Sequence, residues 1–204
     1  MEALKVQVQD KDVVQGFIAE HIGDVQGCLA ALPRDVLGQI VDRLAEAGRK
    51  GQQVFIFGNG GSASTASHMA CDLGKGAIVD GHPRLKVMSL NDNMAIMTAI
   101  SNDISYEAVF IEQLKNLLKP DDVIIAISAS GNSPNVVNGM EYAREVGAYT
   151  VGLIGFGGGK MAGLSDLKVV VDSYDYGVVE GLHLVIEHMI SFGLKAKLAA
   201  SASA

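Results

Sequence analysis

Five short, largely apolar, β-favouring runs recur along the chain, at 54–57, 85–90, 123–127, 149–154 and 167–171. Strands apolar along most of their length, rather than at alternate positions, face helices on both sides, which is the pattern of a parallel sheet. Helical spacing fills the intervals, at 64–73, 94–100, 107–118, 135–146 and, longest, 178–198. The alternation predicts a doubly wound α/β fold, with a five-stranded parallel sheet flanked by helices. Ahead of the first strand, Val14, Phe17, Ile18, Ile22 and Val25 recur every three or four positions. Pro33 interrupts them and starts a second helix through Val36, Ile40, Val41 and Leu44. We read 1–51 as an N-terminal helical hairpin, part of the same domain as 52–199, and 200–204 as a frayed Ala-Ser tail. The hairpin's apolar stripe is expected to pack on another subunit.

Composition narrows the function. A chain of 204 residues suits one domain, and 49% hydrophobic with 19% charged residues excludes disorder. A net charge of -7 argues against a nucleic-acid binder, although an anion site built from backbone N–H groups carries no formal charge and stays allowed. Cys28 and Cys71 are too few for a disulfide scaffold, which fits a reducing compartment. No apolar run is read as reaching the roughly 18 residues of a membrane span. The start, Met1-Glu2-Ala3-Leu4-Lys5, lacks a secretion signal. The expectation is a cytoplasmic protein with neither membrane nor nucleic acid as partner.

Two loops at predicted strand ends carry the chemistry. Gly58-Asn59-Gly60-Gly61-Ser62 follows the first run, and Ser128-Ala129-Ser130-Gly131-Asn132-Ser133 follows the third and leads into a helix at Pro134. Hydroxyls on a glycine-containing turn at a helix N-terminus can surround a phosphate with O–H and N–H donors. Neither loop is a nucleoside-triphosphate loop, because no Gly-Lys-Ser/Thr follows. Downstream of the first loop, His68 and Asp72 stand four apart on one helix face, and the last helix carries Glu180, His183, Glu187 and His188. Two imidazoles with one or two carboxylates can bind Zn²⁺ if the two helices meet.

Together, Gly58-Asn59-Gly60-Gly61-Ser62, His68 and Ser128-Ala129-Ser130-Gly131-Asn132-Ser133-Pro134-Asn135 resemble the sugar isomerase (SIS) domain, within it the phosphoheptose isomerase group. The resemblance covers nearly the whole chain and implies a homotetramer with sites at subunit interfaces. It implies that Ser128, Ser130 and Ser133 hold the phosphate, with Ala129 among the substrate-binding residues. Asn59, Gly60, Gly61, Ser62, Asp92 and Asn93 would line the sugar site. In that group a zinc ion is held by His and Glu on the first helix and by Gln and His on the last. Here the corresponding residues are His68, Asp72, Glu180 and His188. Asp72 is one methylene shorter, so it must approach more closely or cede its role to Glu180. A carboxylate in place of the amide adds a charge that favours a divalent ion. A further acidic position of the group falls on Gly177.

The implied activity is aldose–ketose isomerisation of a phosphorylated sugar, sedoheptulose 7-phosphate first, through an enediolate. Asp72 is the expected base with Glu180 as its alternative, and His188 is the acid/base partner. Two other readings stand beside it: an isomerase of a different phosphosugar, and a non-catalytic relative of the DnaA initiator-associating type. Retention of both His68 and His188 favours catalysis.

Overall fold

A computed structural model describes residues 2–202, with side chains over 12–201. The chain divides into two compact units, 1–32 and 33–204. The first is one helix, α1 (Glu2–Ala30), on which Val13, Val14, Phe17, Ile18 and Ile22 are exposed. The second holds α2 (Arg34–Lys50) and the sheet, so the division falls between the two N-terminal helices rather than after them. Its five strands are all parallel: β1 (Gln53–Gly58), β2 (Lys86–Ser89), β3 (Val123–Ser128), β4 (Tyr149–Ile154) and β5 (Leu167–Val170), in the order β2-β1-β3-β4-β5.

The helices between them are α3 (Gly61–Cys71), α4 (Met94–Asp103), α5 (Ile111–Leu117), α6 (Pro134–Val146) and α7 (Met161–Leu164), and α8 (Tyr176–Ala202) follows the last strand. Helix α8 takes up most of the expected frayed tail; Ser203 and Ala204 lie outside the described residues. The short α7 carries no apolar period long enough to be read from sequence.

Side chains alternate across the sheet. On one face Phe55, Phe57, Ile124 and Ala126 pack with Phe110 and Leu114 of the α5 region and with Val136, Met140 and Ala143 of α6. The Phe57 and Phe110 rings stack at 4.7 Å. On the other face α2, α3 and α8 pack together, with Ile40 and Leu44 of α2 and Leu182, Ile186 and Ile190 of α8 fully or nearly fully buried. Contrary to the reading of the sequence, one helical stretch, 176–201, is long and apolar enough to cross a membrane. Half of its most apolar 18-residue stretch is buried, and the helix carries Glu180, Glu187, Lys195 and Lys197, as a core helix of a folded domain can.

His183 of α8 is fully buried, and neither ring nitrogen has a hydrogen-bond partner, although the Ile154 backbone lies beside the ring. Burial pulls its pKa down to about 4 from an ordinary 6.5, so it is neutral in the folded protein near pH 7. As pH falls below 6.5 the unfolded chain takes up a proton that the folded chain refuses until about 4. Stability should therefore drop across that window, by about 3 kcal/mol from this group. Urea titrations at pH 7 and pH 4 test this against His183→Met. The variant should lose about 3 kcal/mol less than the wild type on acidification, and parallel losses would assign the ring no such role.

Candidate active site

Winding reverses between β1 and β3 in this strand order, and ligands of open parallel sheets bind beyond the carboxyl ends at such a point. The two loops singled out in the sequence follow those two strands. Gly58 lies in register with Ile127, and a Cβ there would stand 2.6 Å from the Ile127 carbonyl and 2.7 Å from the Ser62 Cβ. Only glycine lets the first loop sit this close to β3. Asn91 clamps the turn, its amide donating to the Gly58 carbonyl at 2.9 Å and accepting the Gly58 N–H at 3.2 Å. Asn59 exchanges amide hydrogen bonds with Asn135 at 2.8 and 2.9 Å and accepts the Tyr106 hydroxyl at 2.9 Å. Its side chain thus ties the first loop to the start of α6.

The second loop is built around its serines. Ser128 is buried, and its Oγ accepts the Gly131 N–H at 3.2 Å and lies 3.4 Å from Ser133 Oγ. Ser130 Oγ accepts the Asn132 N–H at 3.2 Å. Gly131 has φ +63, and a Cβ on it would run into the Gly158 carbonyl. The glycine turn after β4 is pinned there by Lys160 N–H to Asn132 Oδ1 and by Met161 N–H to the Gly131 carbonyl, both 3.0 Å. Ser133 occupies the N-cap of α6 without a side-chain cap bond, and Pro134 brings no N–H. Hydroxyls and the positive end of the α6 dipole therefore share one half-buried turn, a setting that favours an anion.

Two turns along α3, the titratable residues converge. His68 Nε2 and His188 Nε2 are 3.3 Å apart across 120 residues of sequence, with the rings edge-on at 82°. Asp72 Oδ2 lies 3.7 Å from each imidazole nitrogen. A π-helical turn, Asp72–Gly76, closes α3, its Ala77 N–H reaching the Asp72 carbonyl at 2.8 Å. The fourth member is Glu187, whose Oε1 lies 3.1 Å from His188 Nε2 and 3.6 Å from His68 Nε2. Glu187 is fully buried, and burial raises its pKa against the opposing pull of His188 and the Ser191 hydroxyl.

These four ligand atoms lie within 4.8 Å of one another. A tetrahedral ion with bonds of about 2.0–2.1 Å to nitrogen and oxygen sets its ligands about 3.4 Å apart. The five short separations, 3.1 to 3.7 Å, bracket that edge. Two nitrogens facing each other at this distance require a proton or a cation between them. The donor set and its spacing fit a divalent metal.

Glu180, expected among the ligands, is not in this group. Its carboxylate lies over Gly61, where a Cβ would collide with both oxygens, at the first turn of α3. Asp92, exposed, accepts a short hydrogen bond from Ser67, and Asn93 caps α4 by accepting the Ile96 N–H at 3.1 Å. Sequence reasoning assigned no role to Glu187, Asn91 or Tyr106. A signal existed only for the first, which lies seven residues after Glu180 on the same face.

Comparison with known proteins places this geometry in a family. The SIS domain model matches residues 21–155. The chain is 38% identical over 151 residues to a probable phosphoheptose isomerase of Thermoplasma acidophilum, 74% of this chain and 82% of that protein. It is 33% identical over 180 residues to a phosphoheptose isomerase of Trichlorobacter lovleyi, 87% and 91% of the two chains. The solved phosphoheptose isomerase of Neisseria gonorrhoeae superposes with a TM-score of 0.81 at 25% identity, over 91% of this chain and 98% of that one. The family model takes in both loops and the His68 helix, and with these relatives the chain belongs to the SIS-domain family as a member of its phosphoheptose isomerase group.

Proposed function

We propose that this chain isomerises sedoheptulose 7-phosphate to D-glycero-D-manno-heptose 7-phosphate through an enediolate. The observation that carries this reading is the meeting of Asp72 with His68 and His188 in one half-buried cluster on the helix that starts from the switch-point loop. Moving a carbonyl from C2 to C1 needs a base for the C1 proton, a proton carrier between the two oxygens, and stabilisation of the oxyanion. Asp72 takes the C1 proton. His188 gives a proton to O2 and takes the one that O1 loses, and Asp72 returns the first proton to C2, so both groups end the cycle as they began it. Glu180, beside Gly61, is the alternative base.

Ser128, Ser130 and Ser133 hold the phosphate with the N-terminus of α6. Ser133 supports this role by leaving its hydroxyl uncommitted to the helix. Gly60, Gly61 and Ser62 present backbone to the sugar. Zn²⁺ is the proposed ion, held by His68, Asp72 and His188 among its ligands, and when bound it supplies Lewis-acid stabilisation of the developing oxyanion. The exposed apolar face of α1 supports association into a homotetramer, and a phosphorylated sugar substrate supports a cytoplasmic location.

Turnover of sedoheptulose 7-phosphate by the wild type, Asp72→Asn and His188→Gln tests the assignment. Each variant should lose at least about 100-fold in kcat with the fold retained. Unchanged turnover in both would remove these roles, and a wild type inactive on C5, C6 and C7 ketose phosphates alike would favour the non-catalytic reading. Light scattering should find a tetramer, and a stable monomer would contradict the role given to α1.

A further inference from the structure

We infer that Glu187, and not Glu180, is the permanent carboxylate ligand of the metal, which leaves Asp72 free to exchange between ion and substrate. The inference rests on reading the cluster as a metal centre and concerns which of three carboxylates holds the ion. Glu187 is fully buried, and its two oxygens have different surroundings. Oε2 accepts the Ser191 hydroxyl at 3.1 Å, one helical turn on, and Ser191 is itself buried. Oε1 has no hydrogen-bond partner and is the oxygen that faces both imidazoles. An unpaired buried carboxylate oxygen is costly, and the imidazole nitrogens 3.1 and 3.6 Å from this one are groups that would share an ion with it. Holding one carboxylate oxygen by an outer hydrogen bond while the other binds is how ligating carboxylates are oriented.

The other two carboxylates are placed differently. Asp72 keeps a fifth of its side-chain surface exposed and makes no contact shorter than 3.7 Å to either imidazole nitrogen. It is tethered at a π-turn and can meet a substrate from the open side. Glu180 is remote: Gly61, which it covers, is seven residues before His68, about 10 Å along α3. Two imidazoles and two carboxylates, all from one chain, give a neutral site around a divalent ion. Such a site is complete within one subunit and should keep its metal on dilution.

The test is metal affinity, read by competition of Zn²⁺ with a chromophoric chelator on the full-length apoprotein, with Co²⁺ absorption reporting ligand number. Outer-shell changes typically cost 10- to 100-fold in affinity, so removing a ligand should cost at least about 100-fold. Glu187→Gln should lose that much, Ser191→Ala about 10-fold, Asp72→Asn less than Glu187→Gln, and Glu180→Gln nothing measurable. The Ser191 variant keeps the carboxylate and guards against a folding failure in the first. A wild type that binds one ion while Glu187→Gln stays within threefold of it, or Glu180→Gln loses more, overturns the assignment and leaves the metal centre standing. A wild type that binds no ion overturns both.

Discussion

The close packing of α8 along α3 is the contact on which the rest of this molecule depends. The two helices run in the same direction on one face of the sheet, so Glu180 meets Gly61 at one end and His188 meets His68 about two turns further on. Small residues make this possible. Gly61 leaves room for a carboxylate, and Gly155 at the end of β4 leaves room for Val179, since a Cβ there would stand 2.6 Å from a Val179 methyl. Apolar burial of Val178, Val179, Leu182, Ile186 and Ile190 then holds α8 in one rotation. With that rotation set, Glu187 is directed inward at the imidazoles while Val185 and Met189 are turned out.

The proposed anion end of the site has a separate origin. It needs only the strand order, which sets β1 beside β3, and glycines at 58 and 131 that allow backbone to approach backbone. Side-chain amides complete the frame: Asn91 on the first loop, and the Asn59–Asn135 pair with Tyr106 between the first loop and α6. The reacting carbons and the phosphate of the sugar lie at opposite ends of the substrate. The proposed division, with proton-transfer groups along a helix and an anion loop at a neighbouring strand end, suits such a molecule.

The strands were legible because each is a largely apolar run with a glycine or polar residue at its carboxyl end: Gly58, Asn91, Ser128, Gly155 and Asp172. Both loops were legible for the same reason. The His68–Asp72 pair could be read from its spacing of four, but the partner set on α8 could not. Residues 180, 183, 187 and 188 all fall within one stripe of a helix, and spacing alone does not say which of them an adjacent helix will meet. That choice depends on the rotation of α8 and on the Ser191 hydroxyl, neither of which leaves a local pattern. Asn59 and Asn93 illustrate the reverse case. They stand where a sugar-binding residue would, yet their amides are engaged in tying a loop and capping a helix.

Anomalous diffraction at the zinc absorption edge, from crystals grown with Zn²⁺ and the ketose phosphate, would examine this arrangement in one experiment. The account requires a single strong peak between α3 and α8, about 2.0–2.2 Å from His68 Nε2, His188 Nε2 and Glu187 Oε1, with the phosphate seated on the 128–133 turn of the same cavity. A peak bonded to Glu180 instead, or a phosphate in a cavity that does not reach His68 and His188, would contradict it.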